Sequence, residues 1–291
     1  MAASLALPLV ALAAACGSSG KTTSAASVAP QKSVSSVAAQ VPAAIKSKGS
    51  LTVAADATYA PNEFIGSDGH TVVGMDADLA KALGQVMGLK VNMVNATFDT
   101  IIPGIASGKY DLGMSSFTDT KARQQTVNFV TYFSAGTSFY VKTSGGPNIT
   151  SLADLCGHKV AMEKGTTQQA DAQAQNTKCK AAGKPAVSLQ IFNDQNAVNL
   201  ALSSGRAEVA MADSPVAAYQ VKKSGGTFKL TGKSYGTAPY GIAMAKNSGL
   251  AKPVLAAMKT LIANGTYTKI LKKWGIQAGA ITTPVINGAT S

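Results

Sequence analysis

The sequence predicts an α/β fold, and three observations carry that expectation. Short apolar runs, Leu51–Ala55, Lys90–Val94, His158–Met162 and Val187–Ile191, alternate along the chain with segments whose apolar residues recur at helical spacing. No internal repeat or heptad replaces the alternation. After residue 137 the composition restarts, and a second series of the same kind follows. The 291 residues suffice for one large domain or two smaller ones with cores of their own.

In chain order, residues 17–45 are rich in Ser, Ala, Thr and Gln and poor in large apolar groups, so they read as a flexible tether. Leu51–Ala55 reads as a buried strand. Asp56–Phe64 is a loop, because Pro61 excludes regular pairing. Ser67-Asp68-Gly69 is a turn. From Gly74 onward, Leu79, Leu83, Val86 and Met87 share one helical face, and Asp76 and Asp78 read as negative charges placed at that helix's start. Strand Lys90–Val94, helix Phe98–Gly108 and strand Tyr110–Met114 follow. Beyond the restart come strand Ser138–Lys142, a loop at Gly145-Gly146-Pro147, a capped short helix in Ile149–Leu155, strand His158–Met162 and a helix opened by Glu163–Gln168. Val187–Ile191 is a strand, and Asp194–Ser204 a helix with Val198, Leu200, Ala201 and Leu202 as its apolar face. Strands Thr227–Thr231 and Tyr240–Ala245, helices Leu250–Ala263 and Thr266–Trp274, and a loosely held tail over 278–291 complete the chain.

Twenty-six Lys and Arg against 14 Asp and Glu give a net charge of +12, which favours polyanionic surroundings. The basic residues are scattered, with no arginine stripe interleaved with aromatics, so nucleic acid is not an expected partner. Two His and three Cys, without a Cys-x-x-Cys pair, argue against a structural zinc site. No cofactor is expected.

The chemistry concentrates in Gly113–Arg123. Ser115, Ser116 and Thr118 crowd small hydroxyls and free backbone N–H groups at a strand end. Thr118 or Asp119 is placed to cap the helix that follows. Arg123, one turn on, offers a planar fork of donors suited to a carboxylate. Together these make a cup for an anion at a helix start, or a capped surface helix with a solvated Arg. A second strand-to-helix turn, Gly165-Thr166-Thr167, offers hydroxyls and N–H groups in the same way.

The segment Ser-Ser-Phe-Thr-Asp-Thr-Lys-Ala-Arg resembles the signature of the polar amino-acid-binding proteins of ABC importers, Ser-Ser-hydrophobic-Ser/Thr-x-Thr-x-x-Arg. The similarity runs in order over about residues 46–277. It includes Asp56-Ala-Thr-Tyr59-Ala-Pro61, Gly74-Met-Asp76-Ala-Asp78-Leu-Ala80, Phe98-Asp-Thr-Ile-Ile-Pro103, Gly205-Arg206…Asp213 and the C-terminal Lys273-Trp274-Gly275. The resemblance implies a two-lobe periplasmic-binding-protein type II fold with two hinge strands. Lobe 1 would take 46–137 and 238–277, and lobe 2 would take 138–237. It implies that Arg123, Thr118 and Thr167 hold a ligand carboxylate, that Asp213 takes the ligand ammonium, and that Ser115 or Ser116 adds hydrogen bonds. Asp56, Tyr59 and Phe98 would face the ligand side chain. Asn62 departs from the family's usual Phe, and Glu163 stands where relatives often carry an apolar residue. The implied function is that of an extracytoplasmic solute-binding protein, not an enzyme, which hands a polar or cationic amino acid to an ABC permease. The alternatives are a cyclohexadienyl dehydratase-like enzyme, for which Glu163 and Asp56 are the only evident acid/base groups, and a ligand-sensing module.

Leu5–Ala15 followed by Cys16-Gly-Ser-Ser-Gly looks like a bacterial lipoprotein signal. It departs from the pattern at Ala13, where Leu is usual, and in lacking Lys or Arg ahead of the apolar run. Residues 1–16 would then be the signal with its lipidated Cys16, and the protein would sit on the outer face of the cell membrane. In an exported protein the remaining pair, Cys156 and Cys179, is expected to form a disulfide.

Overall fold

Two long antiparallel strands run through both halves of the molecule and set everything else around them. The computed structural model describes Met1 and residues 28–289. Lobe 1 opens with α1 (Ser35–Ala38), α2 (Ala43–Lys48) and β1 (Ser50–Ala55). A small three-stranded sheet follows, made of β2 (Thr58–Tyr59), β3 (Glu63–Ile65) and β4 (Val72–Val73). Then come α3 (Met75–Met87), β5 (Lys90–Asn95), α4 (Phe98–Ala106), β6 (Leu112–Gly113) and α5 (Lys121–Gln124). Strand β7 (Val127–Lys142) crosses to lobe 2, built from β8 (Lys159–Glu163), α6 (Thr167–Ala181), β9 (Ser188–Phe192), α7 (Gln195–Ser204), β10 (Val209–Asp213) and α8 (Ser214–Lys223). Strand β11 (Phe228–Ala245) returns, and α9 (Ala251–Ala263) and α10 (Thr266–Trp274) pack back onto lobe 1.

The eight-stranded sheet has the order β5-β1-β6-β11-β7-β10-β8-β9. Its flanks are parallel: β1 pairs with β5 and β6, and β8 with β9 and β10. The centre is the antiparallel pair β7–β11, in register from Val127 opposite Ala245 to Lys142 opposite Phe228. Register shifts fall at Thr231/Tyr235, Tyr235/Ala238 and Tyr240/Gly241, where bulges let the crossing strands bend between the lobes. The sequence marks three short strands here; the structure makes two long ones, of 16 and 18 residues.

Local signals hold the helices. On α3, Leu79, Leu83, Val86 and Met87 are all buried, and the helix stops at Gly88, whose φ of 74° closes the last turn. Asp194 caps α7 by accepting from Ala197 N at 2.8 Å. Leu200, expected on the apolar face of α7, is 65% exposed, because the buried stripe is Val198, Ala201 and Leu202.

Both expected loose ends differ from the sequence reading within the described residues. Residues 28–45 are not a structureless tether. Val34 N donates to Val86 O at 2.9 Å, and Val37 and Val41 are buried in the lobe 1 core. Scattered Val among Ser and Ala is enough when a preformed groove beside α3 receives it. Residues 281–289 are not loose either. Val285 and Asn287 exchange backbone hydrogen bonds with Thr131 and Phe129, covering the edge of β7 that β10 leaves free. An unpaired strand edge is a strong recruiter of extended chain.

Cys156 and Cys179 are joined by a disulfide with Cα atoms 5.7 Å apart, tying the loop before β8 to α6. Among the described residues no helix is long and apolar enough to cross a membrane. Cys16 and residues 17–27 lie outside the described residues.

Candidate functional site

The carboxyl ends of β1, β6, β8 and β10 converge at the junction of the lobes, the place where open α/β sheets present loops to ligands. The loops after them border a narrow cavity of about 210 Å³, partly open to solvent. Tyr59, Phe98, Ser116, Thr118 and Arg123 line it from lobe 1, and Thr166, Thr167, Gln168 and Asp213 from lobe 2. The lobes meet across it: Arg123 Nη2 donates to Gly165 O at 3.0 Å, Lys164 Nζ pairs with Asp99 at 2.7 Å, and Gln195 N donates to Thr58 Oγ1 at 3.1 Å. Gly165 has φ of 79°, and a Cβ there would lie 2.9 Å from that of Asp99, so this approach requires glycine.

Arg123 is half-buried, with Nη1 donating to Thr118 O at 2.9 Å and its guanidinium over the rings of Phe98 and Phe117 at 5.3 and 5.4 Å. Burial pulls its pKa down to about 10, and the facing Asp213 opposes that pull, so it remains a cation at neutral pH. Thr120, not Thr118 or Asp119, caps α5 by accepting from Arg123 N at 3.2 Å. That frees Thr118 to line the cavity. Asp119 is buried and accepts from Gln124 at 2.7 Å instead.

Asp213 ends β10 and precedes α8, yet its side chain makes no cap hydrogen bond. It turns into the cavity and is held there from both sides. Gln168 Nε2 donates to it at 2.7 Å and Tyr240 Oη at 2.6 Å. Burial raises its pKa to about 6, against the pull of those donors and of Arg123.

Seven of the ten sequence-predicted ligand residues line the cavity: Tyr59, Phe98, Ser116, Thr118, Arg123, Thr167 and Asp213. The other three stand behind it. Ser115 is wholly buried and accepts from Asp56 N at 2.8 Å. The Asp56 carboxylate accepts from Thr58 Oγ1 at 2.7 Å and Phe98 N at 3.0 Å, bracing the start of α4. Glu163 is 1% exposed, and neither of its carboxyl oxygens meets an N–H donor. Its neighbours are the hydroxyl of Tyr59 and the carboxylate of Asp56; burial first, then Asp56, raises its pKa to about 10. Asn62 does not line the cavity. It is buried and donates to Ser116 Oγ at 2.9 Å.

Sequence reasoning missed Gln168 and Tyr240, which orient Asp213, and Thr166, which caps α6 and lines the cavity. Gln168 follows the Gly-Thr-Thr turn directly, and that adjacency was a usable signal. Tyr240 offered none, since it reads as an ordinary strand aromatic. Asp76 and Asp78, expected as bland helix-start charges, have other work. Asp76 is wholly buried and accepts from Tyr132 Oη at 2.8 Å, while Asp78 accepts from Lys273 at 2.7 Å and Trp274 Nε1 at 2.8 Å, fastening α10 to α3.

Two α/β lobes on crossing strands, closing a cavity with a cation from one and an acid from the other, define a clamshell-type solute-binding protein. The family model for bacterial extracellular solute-binding proteins, family 3, matches residues 51–277, and the chain belongs to that family. It is 32% identical to an arginine-binding protein of Corynebacterium glutamicum over 87% of this chain and 83% of the relative. It is 34% identical to an ABC transporter glutamine-binding protein of Bacillus subtilis over 70% and 72%. Among solved structures, an ancestral arginine-binding protein bound to arginine superposes with a TM-score of 0.71 at 37% identity, covering 78% of this chain and 98% of that one. A Streptococcus pneumoniae ABC transporter substrate-binding protein bound to L-arginine gives 0.72 at 27% identity, over 80% and 98%.

Proposed function

We propose that the protein captures an amino acid with a cationic side chain, arginine foremost, by closing its two lobes around it, and delivers it to an ABC permease. The observation that carries this reading is the facing of Arg123 and Asp213. Opposite charges, one from each lobe, line one small cavity without forming an ion pair with each other. A buried zwitterion needs a partner for each of its charges, and these two groups supply them. Arg123, Thr118 and Thr167 take the carboxylate; Asp213 takes the ammonium; Ser116 adds a hydrogen bond. Only the closed form touches the ligand from both lobes, so ligand and closure stabilise each other.

Glu163 supports the cationic preference. A carboxyl group without a donor, backed by Asp56 and the Tyr59 hydroxyl, is a costly thing to bury, and a guanidinium beside it would supply both charge and N–H groups. A glutamine amide supplies N–H groups but no charge. The arginine-binding relatives lend weight to the same preference. Cys16 would anchor the protein by a lipid to the outer face of the cell membrane, close to the permease.

Calorimetric titration with the twenty amino acids tests the reading. Arginine is expected to bind most tightly, and Glu163→Gln is expected to weaken arginine more than glutamine. Tighter binding of a neutral or acidic amino acid would overturn the cationic assignment.

A further inference from the structure

Behind Ser116 lies a second cluster of acids that no ligand role accounts for. Glu63, on β3, and Asp76, in the first turn of α3, are both wholly buried and converge on one residue. Each also grips Ser116: its backbone N donates to Asp76 Oδ2 at 3.2 Å, and its Oγ donates to Glu63 Oε2 at 3.2 Å. Asn62 Nδ2 completes the clamp on Ser116 Oγ at 2.9 Å. Ser116 needs the grip. Its φ of 50° is a left-handed conformation that a non-glycine residue rarely holds without support. The start of α3 reaches Glu63 because Gly74 has φ of 129°; a Cβ there would press on the Asn62 and Glu63 backbone.

One oxygen of each acid, Glu63 Oε1 and Asp76 Oδ1, has no N–H or O–H donor from any other residue. The polar groups facing the pair are Tyr132 on β7, Tyr240 on β11, Ser115, Ser116 and Asn62, and none of them carries a positive charge. Two bare carboxylates in such surroundings repel each other. One proton between them removes the repulsion and provides both orphaned oxygens with a partner. We propose that Glu63 and Asp76 share a single proton and that this protonated pair positions Ser116 for the ligand. Glu63 and Asp76 are thus positioning residues, acting through Ser116. Burial, followed by the charge of Asp76, lifts the Glu63 pKa well above the usual carboxyl range, and burial lifts Asp76 to about 6, so the pair keeps its proton at neutral pH. Loss of that proton at high pH would push the two acids apart and release Ser116, lowering affinity.

The inference rests on Ser116 being a ligand contact, so the experiment separates the two claims. Arginine affinity is measured by calorimetry from pH 6 to pH 10 for the wild type, E63Q and S116A. The amide of E63Q donates to Asp76 in place of the shared proton and cannot be titrated. The ratio of wild-type to E63Q affinity is expected to fall from its pH 7 value by at least about fivefold at the top of the range, less than the effect of one pKa unit. Deprotonation of arginine itself affects both proteins alike and cancels in the ratio. A flat ratio overturns the shared proton. Unchanged affinity in S116A overturns the ligand role of Ser116 instead. Should E63Q not fold, carboxyl-carbon NMR of the wild type decides: one Glu or Asp carboxyl still protonated at pH 8, beyond that of Glu163, is expected, and its absence overturns the proposal.

Discussion

Tyr240 donates its hydroxyl to Asp213 at 2.6 Å, so a residue of the returning hinge strand holds the acid of the opposite lobe. The same Tyr240 bridges to Thr118 through its backbone, linking both sides of the cavity to one residue. A ligand ammonium needs Asp213 ionised, and its pKa is raised to about 6. Affinity is therefore expected to be full above that pH and to fall by about tenfold per unit below it. Tyr240→Phe removes a donor from the carboxylate, raises its pKa further and moves the acid limb of the affinity profile upward. Calorimetry in glutamine, whose side chain does not titrate, isolates this limb. The linkage to stability has the opposite sign. A raised carboxyl pKa favours the folded state most below the ordinary Asp value of 3.8, and that contribution is lost as pH rises through about 6.

Arg123→Ala leaves a ligand carboxylate buried without its cation. Binding is expected to weaken by about 2–5 kcal/mol, mostly through faster dissociation. Stopped-flow release and calorimetry would measure it, and an unchanged dissociation constant would remove Arg123 from the site.

Glu163 holds its proton at neutral pH in the ligand-free protein, since burial and Asp56 raise its pKa to about 10. A guanidinium placed beside it reverses that balance. Arginine binding at pH 7–8 is expected to release close to one proton, read from calorimetric enthalpies in buffers of different ionisation enthalpy. In Glu163→Gln the release should vanish. Glutamine, whose side chain is neutral, should release none from either protein.

The Cys156–Cys179 disulfide spans 23 positions of chain, and its loss is expected to cost about 3 kcal/mol through the entropy of the unfolded state. Denaturant unfolding of the double Ser variant checks the figure. Arginine affinity should stay within a few-fold, because neither sulfur lies in the cavity.

Removing the chain after Thr283 exposes the edge of β7. Four hydrogen bonds from Val285 and Asn287 to Thr131 and Phe129 disappear, a loss of about 2–4 kcal/mol at the usual net value of each. The thermal midpoint of the shortened protein should fall accordingly. An unchanged midpoint would mean that the strap adds nothing to the fold.

The sequence by itself determined the fold class and most of the residues that line the cavity. Alternation of apolar runs is a local property, and Arg123, Thr118, Thr167 and Asp213 each sit in short segments whose resemblance to the family's motifs can be read without coordinates. Only the tertiary structure decided what stands behind them. It set Ser115, Asp56 and Glu163 back from the cavity, took Asp76 from helix start to buried acid, and brought Gln168 and Tyr240 onto Asp213. It also docked residues 28–45 and 281–289 onto lobe 1. The physical reason is that these contacts join residues far apart in the chain, such as Asn62 with Ser116, 54 positions on, and Phe129 with Asn287, 158 positions on. A polar side chain or a short apolar stretch looks the same in sequence whether it meets water or a distant partner, and packing alone chooses between them.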